Sequence, residues 1–476
     1  MADVSVLLTG KDLTHDDLVA VARGDRPVAL TEAAVEAMSA ASSLADHIFE
    51  RGLPTYGLTT GLGAQKRTSL HRDDDAFSRR QIAESHVGQG PDAPRDVVRA
   101  TMLVLLNQYA GGSTCVRPVV AERLVEALNA GETPRVRMLG SLGASDLAPM
   151  ADLARGVVGD VPLAHGEGLA LINSSAYGTA LAALALADAA RLLDAADVAG
   201  ALALEGFAAN LSTLDPAVAE ARPDPVLRRT LSRFRDLLQG SFLWEDGAAR
   251  NLQDPLTFRS TMPIQAAARV ALDHALERLA IELNAAQGNP LVSVAAGRII
   301  SASVYEVVGL AAALDYVRVA LATALAAASE RSVKLLDTPW SGLPTGLLPQ
   351  GGPDLGLSIH AVAVQSLAAE ASLLAQPVSF TVVSTAGAEG IEDRASHLPL
   401  SGRRLAEMVD LGDGVIAIEL LVAAQAVDVR GSRPLGRATG AAHALVRASI
   451  PEMAAGDPPP TDVEAIRRLI RSGALG

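Results

Sequence analysis

Residues 178–209 read GTALAALALADAARLLDAADVAGALALEGFAA, a stretch dominated by Ala and Leu with Asp, Glu and Arg recurring along it. Ala and Leu are strong helix formers. A membrane span needs about 20 residues with few or no charges, and the spaced acidic and basic groups argue against one. A stretch this apolar must instead be covered by other protein, which predicts a long helix buried inside a bundle. The whole chain agrees: 49% of its residues are hydrophobic, yet only 3% are aromatic. A core of small aliphatic side chains suits closely packed helices better than a β-sandwich, so the fold class is mostly α.

At 476 residues the chain exceeds one ordinary core, and more than one subregion is expected. No clean linker marks a boundary. The organisation reads as an N-terminal helical region over 1–200 and a central long-helix bundle with a C-terminal helical region over 201–476. The formal charge of −14 argues against a nucleic-acid partner. Cys115 is the only cysteine, which excludes an intramolecular disulfide and a cysteine-based zinc site. The histidines show no ligand spacing for a metal. The N-terminal residues lack a basic segment followed by an apolar run, so a cytoplasmic location is expected.

Periodic apolar patterning predicts helices near 14–24 and 31–51, the second capped by Thr31. It also predicts helices over 75–130, broken by GQGPDAP, and long helices from about 168 to 330. Leu272, Leu276, Leu279 and Leu283 form one stripe of such a helix. Further helices follow near 357–375 and up to about 448, with a short one after GDPPPTD. Between them lie non-helical islands: YGLTTGLG, ESHVGQG, GSLGASDLAP, LINSSAYGTALA, LQDPLTFR, IELNAAQGNPLV and GAEGIEDRAS.

Those seven islands, in that order, resemble the aromatic amino-acid ammonia-lyases, most closely histidine ammonia-lyase, over nearly the whole chain. The resemblance implies a long-helix bundle of the histidine/phenylalanine ammonia-lyase type. It also implies a homotetramer whose active sites are shared between subunits. In that family an Ala-Ser-Gly tripeptide cyclises, losing two waters, to give a methylidene-imidazolone (MIO) electrophile. Glycine suits the compressed turn because it lacks a Cβ. Here Ala144 and Ser145 are followed directly by Asp146. The glycine is deleted and the turn is one residue short, so no MIO cofactor is expected. Asp146 then reads as a cap on the helix that follows.

Carried over residue by residue, the resemblance makes Tyr56 the catalytic base, a role that requires ionising a phenol whose ordinary pKa is about 10. Arg259 would grip a substrate carboxylate with its planar fork, assisted by the amides of Asn173 and Gln253. His86 and Glu392 would face an imidazole ring, an arrangement able to hydrogen-bond both of its edges. Glu389, Arg394 and His397 read as loop ion-pair partners. Two departures accompany the lost glycine: Leu256 stands where the family has a tyrosine, and Tyr305 replaces a phenylalanine.

Without the electrophile, a free ammonium would yield its own proton to a base before a β C–H did. A quaternary ammonium has no such proton and leaves as a neutral amine. The expected activity is therefore MIO-independent C–N elimination from a small-molecule imidazole amino-acid betaine, as in the superfamily member ergothionase, which forms thiourocanate and trimethylamine from ergothioneine. The alternatives are an MIO-dependent histidine ammonia-lyase, another elimination, isomerisation or Michael-addition enzyme, and a catalytically inactive homologue.

Overall fold

The computed structural model describes residues 5–70, 75–349, 353–381, 387–431 and 433–475. The pieces of two predicted loops at 350–352 and 382–386 lie outside the described residues. The helices used below are α1 (Asp75–Ser85), α2 (Leu147–Val157), α3 (Glu167–Ile172), α4 (Ala176–Phe207), α5 (Leu256–Arg259), α6 (Thr261–Leu283), α7 (Val308–Leu336) and α8 (Leu398–Arg430).

The apolar stretch that dominates the sequence is α4. The most apolar window of Glu167–Phe207 is 94% buried, which makes it a core helix. The predicted N-terminal helices occur at His15–Gly24 and Glu32–Glu50. Thr31 caps the second, its hydroxyl accepting from Ala34 N–H at 3.2 Å. In the leucine stripe of α6, Leu272, Leu279 and Leu283 are buried. Among the described residues the strands form three two-stranded ribbons, and a single antiparallel bridge joins Thr60 to Ser69. One ribbon pairs Gln89–Asp92 with Arg137–Leu139, where the sequence predicted only breaks between helices.

The chain forms two compact units. The first comprises 1–185, 275–314 and 377–403, and the second 186–274, 315–376 and 404–476. A linear division near residue 200 does not coincide with them, because the unit boundaries fall inside α4, α6, α7 and α8. In the first unit α1 packs against α2 and α3, and the three ribbons lie there too. The second unit contains a buried ion pair between Arg331 of α7 and Glu419 of α8, with 1% and 0% side-chain exposure.

Candidate active site

The GSLGASDLAP turn is held by a continuous set of polar contacts inside the first unit. Gly143 has φ +80°, and a Cβ there would lie 2.4 Å from Ser396 Oγ, so both the backbone conformation and the space require glycine. Ser396 Oγ donates to Gly143 O at 2.8 Å, and His397 N–H donates to Leu142 O at 2.9 Å. Ser145 also has positive φ, +59°. Its hydroxyl donates to Asn173 Oδ1, while Asn173 Nδ2 donates to Asn289 O at 2.6 Å. Both ends of the Asn173 amide are therefore engaged within the protein.

Asp146 is fully buried. It occupies the N-cap position of α2, but its side chain makes no cap bond there, which corrects the expectation drawn from its place before LAPMADLA. Its carboxylate reaches another helix instead: Gly178 N–H, in the first turn of α4, donates to Oδ2 at 2.7 Å. Ser141 Oγ donates to Oδ1 at 2.6 Å, and the Asp146 N–H itself donates to Ser174 O at 2.8 Å. The carboxylate thus satisfies an otherwise open helix terminus contributed from outside its own helix.

Burial raises the Asp146 carboxyl to about 6, against the opposing effect of the Ser141 and Gly178 hydrogen bonds and of Arg403. The ordinary carboxyl value is about 3.9. Between those two pH values the folded protein retains a proton that the unfolded chain has released. Stability contributed at this site is therefore present at low pH and lost as pH rises through about 6. The loss amounts to something on the order of 3 kcal/mol. We expect Asp146→Asn to flatten this part of the curve, so that melting temperatures of variant and wild type diverge between pH 4 and 7. Parallel curves would exclude the assignment.

Beside the turn lies a cavity of about 450 Å³ whose wall includes Tyr56, Gln81, Glu84, Ser85, Ala144, Ser145, Asn173, Tyr305, Glu392 and Arg394. The YGLTTGLG loop brings in Tyr56. Gly57 there has φ +71°, and a Cβ would meet Leu169 at 2.2 Å, so the loop packs directly onto α3. Gly63 N–H donates to Tyr56 Oη at 3.1 Å. Tyr305 is half-buried; burial raises its pKa, with the nearby Glu392 and then Tyr56 adding to the effect. It is therefore held as a neutral phenol, able to donate a proton. Glu392 and Arg394 sit two residues apart on an exposed, non-helical segment at the rim.

Four of the predicted binding and catalytic residues, Tyr56, Asn173, Tyr305 and Glu392, thus share one wall with Ala144 and Ser145. His86 does not line it. Its Nδ1 lies 2.5 Å from Asp152 Oδ1, and the preceding Glu84 and Ser85 face the cavity in its place. Glu389 is the loop ion-pair partner it was expected to be, 2.7 Å from Lys66, and His397 Nε2 lies 3.2 Å from Thr381 O. Arg394 departs from that expectation: it lines the cavity, and its Nη1 donates to the neighbouring Ala395 O.

Gln253 and Arg259 belong to the second unit and are not among the cavity's lining residues. Their island is fixed at one end by Asp254, which accepts from Asn210 N–H at 2.6 Å. At the other end Phe258 stacks on Phe207 at 3.9 Å between centroids. Leu252, just before Asp254, and Leu256, between the two ends, are 94% and 63% exposed. The Arg259 Nε is buried without a hydrogen-bond partner. The second unit also holds a larger cavity of about 870 Å³, walled largely by Leu348, Leu355, Ile359, Ile418 and the prolines 458–460. None of the predicted site residues lies there.

The sequence reading missed Gln81 and Glu84. With Ser85 they occupy spacings i, i+3 and i+4 of α1, one face of a helix. That periodicity was the available signal. Among the described residues no three His, Cys, Asp or Glu side chains converge as metal ligands would.

Comparison with known proteins identifies this framework. The chain matches the aromatic amino acid lyase family over residues 13–163 and 158–448. It is 34% identical to histidine ammonia-lyase of Treponema denticola, covering 94% of this chain and 92% of that one. It is 35% identical to histidine ammonia-lyase of Sorangium cellulosum, covering 98% of each. Among solved structures it superposes on ergothionase from Treponema denticola, in complex with desmethyl-ergothioneine sulfonic acid, with a TM-score of 0.94 and 26% identity over 99% of both chains. Histidine ammonia-lyase from Trypanosoma cruzi matches with a TM-score of 0.89 and 26% identity, over 99% of this chain and 94% of that one. The chain belongs to the aromatic amino acid lyases and is a carbon–nitrogen lyase of the histidine ammonia-lyase fold.

Proposed function

We propose that this lyase works without an MIO group and eliminates trimethylamine from ergothioneine or a related imidazole amino-acid betaine, in the manner of ergothionase. The observation that carries the reading is the state of the Ala144-Ser145-Asp146 turn. Ring closure would require the nitrogen of the third residue to attack the Ala144 carbonyl. That nitrogen belongs to Asp146, whose N–H is bonded to Ser174 O and whose carboxylate is held by two further donors. The Ser145 hydroxyl, which would have to be lost, is bonded to Asn173. These residues do not fit the group, and the chemistry falls to the side chains around the cavity.

In this reading Tyr56 Oη, in its deprotonated form, takes the proton from the carbon next to the ring. The C–H electron pair becomes the new C=C bond, and the C–N bond breaks with its pair on nitrogen. The proton ends on Tyr56 and passes to solvent, and the amine leaves neutral. The faces of Tyr56 and Tyr305, with the Glu392 carboxylate, suit a quaternary ammonium, and Glu392 also supplies an acceptor for a ring N–H. The similarity to ergothionase supports the same chemistry. Arg259, with its buried Nε unpartnered, would reach the carboxylate from a neighbouring copy in a homotetramer with shared sites. The exposed Leu252 and Leu256 support burial of that stretch on assembly. A cytoplasmic location belongs to the same proposal.

The test is direct. Purified protein of unmodified intact mass should release trimethylamine from ergothioneine or hercynine. A chain lighter by two waters that releases ammonia from histidine would replace this reading with the MIO-dependent one. No amine from either betaine would end it.

A further inference from the structure

Gln81 is 5% exposed, forms part of the cavity wall, and has a side-chain Nε2 that is buried without any hydrogen-bond partner. A buried amide donor left open is uncommon in a folded protein, because desolvation without a partner is unfavourable. Asn173 is engaged at both ends, and among the cavity's described, non-exposed lining residues Gln81 Nε2 is the one buried side-chain nitrogen or oxygen without a partner. Gln81 therefore has the donor on this wall that a ligand can complete.

We propose that Gln81 is a substrate-positioning residue whose carboxamide N–H donates to an anionic or strongly polarised acceptor atom of the bound substrate. The inference rests on the betaine reading for the identity of that substrate. Such a molecule carries two acceptors of this kind, its carboxylate and, in the thiolated series, the ring sulfur. Its quaternary ammonium accepts no hydrogen bond. Glu84, three residues on along the same face of α1, stands at the exposed part of the wall, so the helix presents a donor in the buried part and a carboxylate nearer solvent. A zwitterionic ligand matches that order.

The experiment compares wild type, Gln81→Leu and Gln81→Asn in three measurements: calorimetric binding of urocanate and of 2-thiourocanate, steady-state kinetics with the betaines, and melting temperature. Gln81→Leu removes an unsatisfied buried donor, so its melting temperature should equal or exceed that of wild type, while ligand affinity falls about tenfold or more. In kinetics KM should rise more than kcat falls. Loss with both ligands assigns the carboxylate as partner; loss confined to 2-thiourocanate assigns the sulfur. Gln81→Asn, which keeps the amide but retracts it, should fall between and serves if the leucine variant does not fold. Unchanged affinity and KM in the variants, or a lowered melting temperature with unchanged KM, overturns the proposal, as does failure of wild type to bind either ligand. Binding that depends on Gln81 without trimethylamine release would instead sink the elimination reading and leave the positioning role standing.

Discussion

Tyr56→Phe should lower turnover by about 10²–10⁴-fold, the usual contribution of a positioned general base, while leaving the fold and ligand binding nearly intact. The hydroxyl accepts one hydrogen bond, from Gly63 N–H, and removing such a contact destabilises a loop by about 1 kcal/mol. The ring, part of the cavity wall, remains. No neighbour can take over the proton: Glu84 and Glu392 are carboxylates, intrinsically far weaker bases than a phenolate. Tyr305 is pushed in the wrong direction, its phenol raised by burial and by Glu392. In the proposed mechanism the two tyrosines have different duties, Tyr56 accepting a proton and Tyr305, its phenol kept neutral by burial, holding one. Trimethylamine release measured beside urocanate affinity checks the prediction; full turnover in a folded variant would exclude Tyr56 as the base and point to a base elsewhere on the wall.

Much of this arrangement was legible before any coordinates. Local signals carried well: the Thr31 cap, the stripe of α6 and the long apolar α4 all follow from periodicity and propensity acting over one or a few turns. The islands placed Tyr56, Asn173 and Glu392 because each belongs to a short non-helical segment with an ordered set of neighbours, while Tyr305 was found as a departure from the family's pattern. What failed was anything decided across the chain. Asp146 looks like a cap for α2, yet it serves the start of α4, thirty-odd positions away, because Ser141 and the α4 terminus compete for the same carboxylate. His86 looks like a ring-binding residue, but the buried Asp152 lies against it. Gln81 and Arg394 carry no mark of their own; what distinguishes Gln81 is the lack of a partner for its Nε2, a property visible only when the surrounding side chains are in place.

The deleted glycine takes on a different sense beside these contacts. In a turn one residue shorter, Asp146 Oδ1 and Oδ2 reach Ser141 and Gly178 at 2.6 and 2.7 Å, and the Asp146 N–H reaches Ser174 O. An inserted residue would have to break or redirect that set. In the proposed reading the turn is a structural link between α2 and α4, and the nitrogen that would have to attack the Ala144 carbonyl is tied to Ser174 O. A substrate whose leaving group needs no activation is the chemical counterpart of that change.

Arg331→Met should destabilise the protein by about 3–5 kcal/mol, the usual result of leaving a buried charge without its partner. Arg331 Nε donates to Glu419 Oε1 at 2.6 Å and Nη2 to Oε2 at 3.1 Å, with both side chains almost wholly removed from water. Burial already raises the Glu419 carboxyl, and Arg331 is what opposes that rise. Losing the guanidinium forces Glu419 either to protonate or to stay charged in an apolar setting. The arginine also reaches the segment that carries Arg259, its Nη1 donating to Thr257 O at 3.3 Å. Thr257 is part of α5, two residues before Arg259, so the same substitution should raise KM for a carboxylate-bearing substrate. The paired change Arg331→Met with Glu419→Leu removes both charges and should recover most of the lost stability but not the KM, because the bond to Thr257 stays broken. Thermal melts of the single and double variants, read beside their KM values, separate the two effects. A double variant as unstable as the single one would show that shape, not charge, is what Arg331 contributes.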